Sequence, residues 1–188
     1  MQDPQAIQSA SHGGKLYLSS NRFPRLSDTI RGHVSTMTHL EYLHQDESSG
    51  FSAVGMRQVY RLRGLVELFV RGAAVTDKAL EGIIALKSLE RLFLSETDVS
   101  DEGLRHLIGL TSVRELFLSE CWRVTSAGMV HVGKLRSLRM VGLRDTSVKD
   151  DGLRQLSSLT RLEMLDPSEG DCVRGQEQLR RRFGIVDQ

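Results

Sequence analysis

The side chains of this chain that could perform chemistry do not converge on a known catalytic motif. Residues 50–55 read Gly-Phe-Ser-Ala-Val-Gly, which misses the G-x-S-x-G nucleophile motif of hydrolases by one residue. Cys121 and Cys172 have no neighbouring cysteine and no metal-ligand spacing. The three histidines between positions 33 and 44 are too irregularly spaced to favour a metal site. We therefore expect a protein that is not an enzyme and that needs no cofactor or metal.

Three aspartates recur at matching points of the sequence. Asp77, Asp101 and Asp150 each stand just before a segment whose apolar residues have helical spacing. A Thr, Ser or Asp at the start of a helix accepts hydrogen bonds from free backbone amides, and an Asp also complements the helix dipole. We therefore interpret these carboxylates as helix caps rather than catalytic groups.

The elements that carry these side chains form a repeat. Strands are predicted to begin at Leu65, Leu89, Val113, Leu138 and Leu162, at intervals of 24, 24, 25 and 24 residues. Each unit opens with a Leu-x-x-Leu-x-Leu strand pattern and continues with helix-like spacing, a combination typical of leucine-rich repeats. The predicted fold class is α/β: a right-handed leucine-rich repeat solenoid, with a curved parallel β-sheet on the concave side and short helices on the convex side.

Length and composition agree with a single solenoid. We expect a polar tail at 1–14, degenerate N-terminal capping repeats at 15–64, regular repeats at 65–170 and a basic C-terminal cap at 171–188. The net charge of +1 argues against a general nucleic-acid or membrane surface. With no run of 18 apolar residues and no secretory signal, we expect an intracellular, cytoplasmic protein, or a mitochondrial one if a transit peptide has been removed.

Alternation along each strand identifies the side chains that face outward. The leucines point into the solenoid, so the residue between the last two leucines lies on the concave sheet. Down the repeats, this position is held by Tyr17, His44, Phe69, Phe93 and Phe117, and then by Gly142 and Asp166. Two residues earlier the predicted row contains Tyr42, Glu67, Arg91, Glu115 and Met140, and two residues later it contains Arg71 and Arg144. Glu67, Arg91 and Glu115 alternate in sign, which predicts pairing across strands.

An aromatic stripe with a charged rim on a rigid sheet is typical of a protein-binding face. We therefore predict a scaffold, an adaptor or a subunit of a larger complex. It would bind another protein, with Phe69, Phe93 and Phe117 as anchors. The alternative is that the rings pack on one another to stabilise the sheet, or that the N-terminal tail or a second copy covers them. No small-molecule substrate is expected.

Basic residues suggest a second class of function. Arg174, Arg180, Arg181 and Arg182 form the one concentrated charge, and Arg63, Lys87 and Arg136 recur on the convex side. They are either the solvated face of a cap or contacts for phosphates or an acidic partner. The alternative function is therefore an RNA-contacting structural subunit of a ribonucleoprotein.

The segments that follow the strands resemble one leucine-rich subfamily. Residues 76–80, 100–104 and 149–153 resemble the T-D-x-G-L repeats of the cysteine-containing leucine-rich repeat proteins, whose turn cysteine corresponds to Cys121. That repeat type is common in substrate receptors of F-box ubiquitin ligases, in protozoan and bacterial repeat proteins, and in small mitochondrial proteins similar to ATP synthase factor B. The resemblance implies the solenoid fold and, as a further alternative, the substrate-recognition part of a ubiquitin ligase.

Overall fold

Strands and short helices alternate along the chain with the spacing that the repeats predict. The structure, a computed structural model, describes residues 13–18, 37–45 and 53–166. In chain order its strands are β1 (Lys15–Leu18), β2 (Tyr42–Gln45), β3 (Glu67–Val70), β4 (Gly72–Thr76), β5 (Arg91–Phe93), β6 (Thr97–Asp98), β7 (Glu115–Phe117), β8 (Met140–Gly142) and β9 (Met164–Asp166). Its helices are α1 (Ala53–Val59), α2 (Asp77–Leu80), α3 (Asp101–Arg105), α4 (Met129–Val132) and α5 (Asp150–Gln155), with 3₁₀ turns at Ile83–Ala85 and Leu156–Ser158.

Seven of the strands form one parallel sheet in the order β1-β2-β3-β5-β7-β8-β9. Neighbouring strands pair residue for residue, so that Phe69 lies opposite Phe93 and Phe93 opposite Phe117. Strands β4 and β6 form a second, two-stranded sheet. The predicted α/β leucine-rich repeat solenoid is therefore confirmed, with the register that the sequence indicated.

The core lies behind the sheet, where each repeat contributes equivalent side chains. In one repeat Leu89, Leu92, Leu94, Val99 and Leu104 are all 0% exposed. Full burial of such a side chain stabilises the fold by about 1.5–3 kcal/mol relative to its exposed state. Because each repeat packs its apolar face on the next, a single continuous core joins the repeats.

The turns after β5, β7 and β8 each contain a small side chain that is hydrogen-bonded to the backbone. The hydroxyl of Thr97 donates a hydrogen bond to the Leu94 carbonyl at 2.6 Å, and the hydroxyl of Thr146 donates to the Leu143 carbonyl at 2.7 Å. Cys121 occupies the same turn position but donates its thiol hydrogen to Leu94 in the preceding repeat, at 3.0 Å. Cys121 is fully buried, as expected of a structural cysteine, and burial raises the pKa of its thiol.

None of the three aspartates holds the cap position predicted for it, because each is the first residue of its helix. The Asp77 carboxylate accepts hydrogen bonds from the backbone amide and the hydroxyl of Ser100, both at 2.6 Å. Asp101 accepts the equivalent pair from Thr125, at 2.8 and 2.6 Å. Both carboxylates therefore join one repeat to the next, and the hydroxyl of Ser100 caps α3. Asp150 is the first residue of α5, so the cap position there belongs to its predecessor.

The convex basic residues also have a structural role. Arg63 donates to the Ala85 carbonyl at 3.0 Å and Arg136 to the Ser158 carbonyl at 2.8 Å. Lys87 approaches the Gly109 carbonyl at 3.5 Å. These long side chains satisfy carbonyls at the turns of the following repeat, which accounts for their recurrence without a phosphate ligand.

Two of the predicted segments lie almost wholly beyond the described residues. Of the polar tail at 1–14, only Gly13 and Gly14 are described, in a turn before β1. The basic cap at 171–188, including Cys172, Arg174 and Arg180 to Arg182, lies outside them. Of the helices in the described ranges, none combines the length and apolar character that crossing a bilayer requires.

Candidate protein-binding surface

Four aromatic side chains stack in a row on the outer, concave face of the sheet. We call His44, Phe69, Phe93 and Phe117 the aromatic stripe. The ring centroids are 5.5 Å apart between His44 and Phe69, 5.6 Å between Phe69 and Phe93, and 4.8 Å between Phe93 and Phe117. The last two rings are nearly parallel, with an interplanar angle of 2°. The backbone of Tyr17 pairs with that of His44, which places Tyr17 at the next position of the same row.

The orientation of these strands agrees with the predicted one. Leu68, Leu92 and Leu116 are 0% exposed on the inner side, whereas the neighbouring rings of the aromatic stripe remain half-buried on the outer side. A half-buried ring that is stacked on both sides is partly shielded by its neighbours. The stacking therefore also stabilises the sheet, as the alternative interpretation of the rings required.

The aromatic stripe ends at Gly142. A Cβ atom at this position would lie 2.6 Å from Cδ1 of Phe117, so the ring of Phe117 fills the space above the glycine. Asp166, one strand further along, is exposed. In the adjacent row, Met140 and Met164 are opposite each other and half-buried, which continues the apolar character beyond the last ring.

Charged side chains border the aromatic stripe on the amino-terminal side of the strands. The Glu67 carboxylate is largely buried; it is hydrogen-bonded to the His44 ring and forms an ion pair with Arg91. The guanidinium carbon of Arg91 is 5.6 Å from the centroid of the Tyr42 ring, and Nζ of Lys15 is 4.9 Å from the same centroid. Both lie within the range of a cation–π contact. This part of the surface is thus a connected network of charges and an aromatic ring.

The predicted pairing of alternating charges is confirmed for one pair only. Glu67 and Arg91 interact, but within residues 53–166 no ion pair joins Arg91 to Glu115. Because Arg91 extends toward Tyr42 and Glu67, the Glu115 carboxylate on the other side receives no guanidinium. Glu115 lies beside Met140 on the next strand, so a half-buried carboxylate stands at the edge of the apolar region.

The carboxyl ends of the strands carry a second border. Arg71 forms an ion pair with Glu96 in the next repeat, and Nε of Arg144 is 3.4 Å from Oδ2 of Asp145. Both predicted arginines are therefore on the outer surface with acidic neighbours. Glu96, Glu120 and Asp145 hold the same turn position in successive repeats, with φ values of 60°, 61° and 54°.

The sequence interpretation missed the most exposed aromatic side chain of the described residues. Trp122 is 67% exposed and lies in the turn that is one residue longer than its counterparts. The guanidinium carbon of Arg123 is 5.9 Å from the Trp122 ring centroid, while Nη1 of Arg123 forms an ion pair with Asp98 at 3.0 Å. Trp122 also lines a cleft with Glu96 and neighbouring turn residues. The extra residue in this turn was the signal that could have identified it.

No metal-binding group emerges from the described residues. They contain no cluster of three or more His, Cys, Asp or Glu side chains with the arrangement of a metal site. The other predicted contact residues, Arg174 and Arg180 to Arg182, are outside the described part of the chain. What the structure brings together is an aromatic stripe with charged borders, which can bind a complementary surface.

The comparisons with known proteins support the fold. No protein-family model matches the chain, and no curated protein matches it in sequence. Its structure is similar to the crystal structure of an internalin (InlF) from Listeria monocytogenes, with a TM-score of 0.55 and 15% sequence identity. The match covers 99% of this chain and 63% of the internalin chain, so this chain spans less than two thirds of that protein. The internalin is a leucine-rich repeat protein, so the likeness supports that fold and leaves the cysteine-containing subfamily unassigned.

Proposed function

We propose that this protein is a non-catalytic scaffold that binds another protein on its aromatic stripe. The observation that carries the proposal is the unbroken row of ring contacts on the outer face of the sheet, with ion pairs along both borders. Aromatic anchors surrounded by polar groups supply most of the free energy of typical protein interfaces. The position of every ring is fixed by the paired strands below it, so binding orders few side chains on this surface.

The spacing of the rings favours an α-helix as the bound element. Successive centroids are 4.8–5.6 Å apart, which is close to the helical pitch of about 5.4 Å. A helix laid across the strands would present one apolar side chain per turn to each ring. In an extended strand, side chains on one face recur only every 6.8 Å or so, which does not match this spacing. The partner we infer is therefore an amphipathic helix with apolar residues at i, i+3 or i+4, and i+7.

The decisive experiment compares partner binding by the wild type and by Phe93→Ala. Partners that the wild-type protein retains are identified first, and the affinity of each for the two proteins is then measured by calorimetry. We expect Phe93→Ala to weaken binding by about 2 kcal/mol, a factor of roughly 30, because a central ring is lost. A triple Phe69/Phe93/Phe117→Ala variant should abolish binding.

Stacking makes a stability control necessary. Phe93 contacts a ring on each side, and aromatic pairs contribute about 0.5–1.5 kcal/mol each, so Phe93→Ala should also lower the free energy of unfolding. Phe93→Tyr keeps the ring and is the matched control; it should bind at near wild-type affinity. Wild-type affinity in a folded Phe93→Ala protein would contradict the proposal.

A further inference from the structure

Three arginines gather at the amino-terminal edge of the sheet, away from the aromatic stripe. Arg114 directly precedes β7, Arg139 directly precedes β8, and Arg161 stands three residues before β9. They line a cleft of about 230 Å³. Its remaining lining residues are Glu90, Thr111, Ser112 and Ser137. We call this the arginine cleft; its lining carries three positive charges and one negative charge.

The arrangement of charges in the arginine cleft differs from that of the neighbouring row. Glu67, Arg91 and Glu115 alternate in sign across adjacent strands. Arg114 and Arg139, by contrast, occupy directly adjacent positions, where the Arg139 amide donates to the Arg114 carbonyl at 2.7 Å. Like charges on neighbouring strands destabilise a sheet. Two arginines at adjacent positions therefore give this edge of the sheet a local excess of positive charge.

The carboxylates near the arginine cleft only partly offset this repulsion. Arg114 is 3.4 Å from Glu90, and Arg139 is 2.8 Å from Glu163. Both pairs are well exposed, and exposed ion pairs contribute little to stability. Across the three described ranges of the chain, Arg161 forms no ion pair. Each guanidinium has five N–H donors, so donors remain for a ligand.

The serine hydroxyls of the arginine cleft are already engaged. Ser112 donates to the Lys87 carbonyl at 2.8 Å, and Ser137 donates to the Thr111 carbonyl at 2.6 Å. Because their hydrogens point at the backbone, the side-chain donors offered to the cleft are the guanidinium groups and the hydroxyl of Thr111. A ligand that suits such a cleft presents several acceptor oxygens and more than one negative charge.

We propose that the arginine cleft binds a phosphate group in its doubly charged form, through Arg114, Arg139 and Arg161. The planar guanidinium groups match the oxygens of a tetrahedral oxyanion in pairs, and a bound dianion removes the repulsion between the adjacent arginines. The site is independent of the aromatic stripe. Its ligand is either free phosphate or the phosphate monoester of a phosphorylated protein residue.

The first test measures binding of inorganic phosphate to the whole chain by calorimetry at low ionic strength. We expect saturable binding with a Kd of about 1 mM or tighter, and a several-fold loss of affinity in Arg161→Gln, because one of three guanidinium groups that face the dianion is removed. Arg161→Gln is the chosen variant since it leaves no carboxylate without its ion-pair partner. Arg154→Gln, at an exposed arginine of α5, is the matched control and should bind as the wild type does. No saturable binding at up to about 10 mM, or equal loss in both variants, would overturn the proposal.

The second test identifies the form and source of the phosphate. The second pKa of a monoester phosphate lies near 6, so the affinity of the arginine cleft for a phosphoserine peptide should fall several-fold between pH 7.5 and pH 5.5. Sulfate keeps both charges, so its affinity should be the same at the two pH values. None of the seven lining residues is a histidine, so no imidazole of the arginine cleft contributes to this pH dependence. A phosphoserine peptide that binds more tightly than free phosphate would assign the site to a modified partner, and the reverse order to the free anion. Tighter, pH-independent binding of single-stranded RNA would instead indicate a phosphodiester backbone and overturn the proposal.

Discussion

The ring of Phe117 lies where a side chain at position 142 would begin. In the five strands that precede β8 in the seven-stranded sheet the equivalent position carries an aromatic residue, and the row has no side chain at position 142, where the Phe117 ring covers the backbone. The glycine that interrupts the aromatic pattern of the sequence therefore has a packing role. The alternation of the strand identified the position of Gly142 correctly, but only the tilt of its neighbour explains why it is a glycine.

Gly142→Ala tests this packing. The added Cβ would lie 2.6 Å from the Phe117 ring, which must rotate away and lose its parallel stack on Phe93. We expect the free energy of unfolding to fall by about 1–3 kcal/mol, measured by urea denaturation. In a Phe117→Ala background the same substitution should cost far less. An equal cost in both backgrounds would show that the ring is not the obstacle.

At the scale of the element, the starts of α3 and α4 are each hydrogen-bonded to an aspartate of the repeat before them. The carboxylate of Asp101 accepts two hydrogen bonds from Thr125, and Gly128 leaves room for that carboxylate. A Cβ at position 128 would be 2.3 Å from Oδ1 of Asp101. Gly103 has the same relation to Asp77, at 2.4 Å. The aspartate and the glycine of the repeated motif therefore meet across the boundary between repeats.

A double-mutant cycle measures this relation. Asp101→Ala should cost about 2–3 kcal/mol of unfolding free energy, because two hydrogen bonds to a charged group are lost. Gly128 has helical backbone angles (φ −65°, ψ −23°), so alanine suits the backbone there and its cost of about 1–3 kcal/mol comes from the clash. The double variant should be more stable than the sum of the two costs implies, by at least about 0.5 kcal/mol. If the two losses of unfolding free energy, measured by chemical denaturation, are strictly additive, the contact between Asp101 and Gly128 is refuted.

There is a physical reason why the sequence predicted some features of the structure and not others. The strands were predictable because a two-residue alternation depends only on the local chain, and the core leucines followed from it. The role of Asp77 and Asp101 could not be predicted, because a carboxylate next to a helix start is equally suited to capping that helix and to binding the turn of the next repeat. The ion pair of Arg91 could not be predicted for a similar reason. Arg91 lies between Glu67 and Glu115 on the neighbouring strands, and the sequence does not determine which carboxylate its side chain approaches.

At the scale of the molecule, the repeats form a one-dimensional array. Each strand of the seven-stranded sheet pairs only with its neighbours in the order of the chain. Stability in such an array is the sum of the repeats and of the interfaces between them. The outward positions of the binding surface could be predicted because the same register continues across all the repeats. The exposed position of Trp122 could not be predicted in this way, because Trp122 lies in the turn that is one residue longer than its counterparts.

Leu92→Ala tests how far the repeats depend on one another. Leu92 is 0% exposed, and its truncation should lower the free energy of unfolding by about 2–5 kcal/mol. In a nearest-neighbour array the amides of β3, β5 and β7 should lose more protection from hydrogen exchange than those of β9. Uniform loss of protection across the sheet would indicate a single all-or-none unit instead.

The position of Trp122 has a practical consequence, because it is the one tryptophan of the chain and stands 67% exposed beside the sheet. Its indole already contacts water, so the intrinsic fluorescence of the native protein reports the rim and carries little information about the interior. Denaturation should therefore be followed by circular dichroism. A ligand that covers the edge of the sheet, by contrast, would change the fluorescence emission of Trp122, so its binding could be followed without an added label.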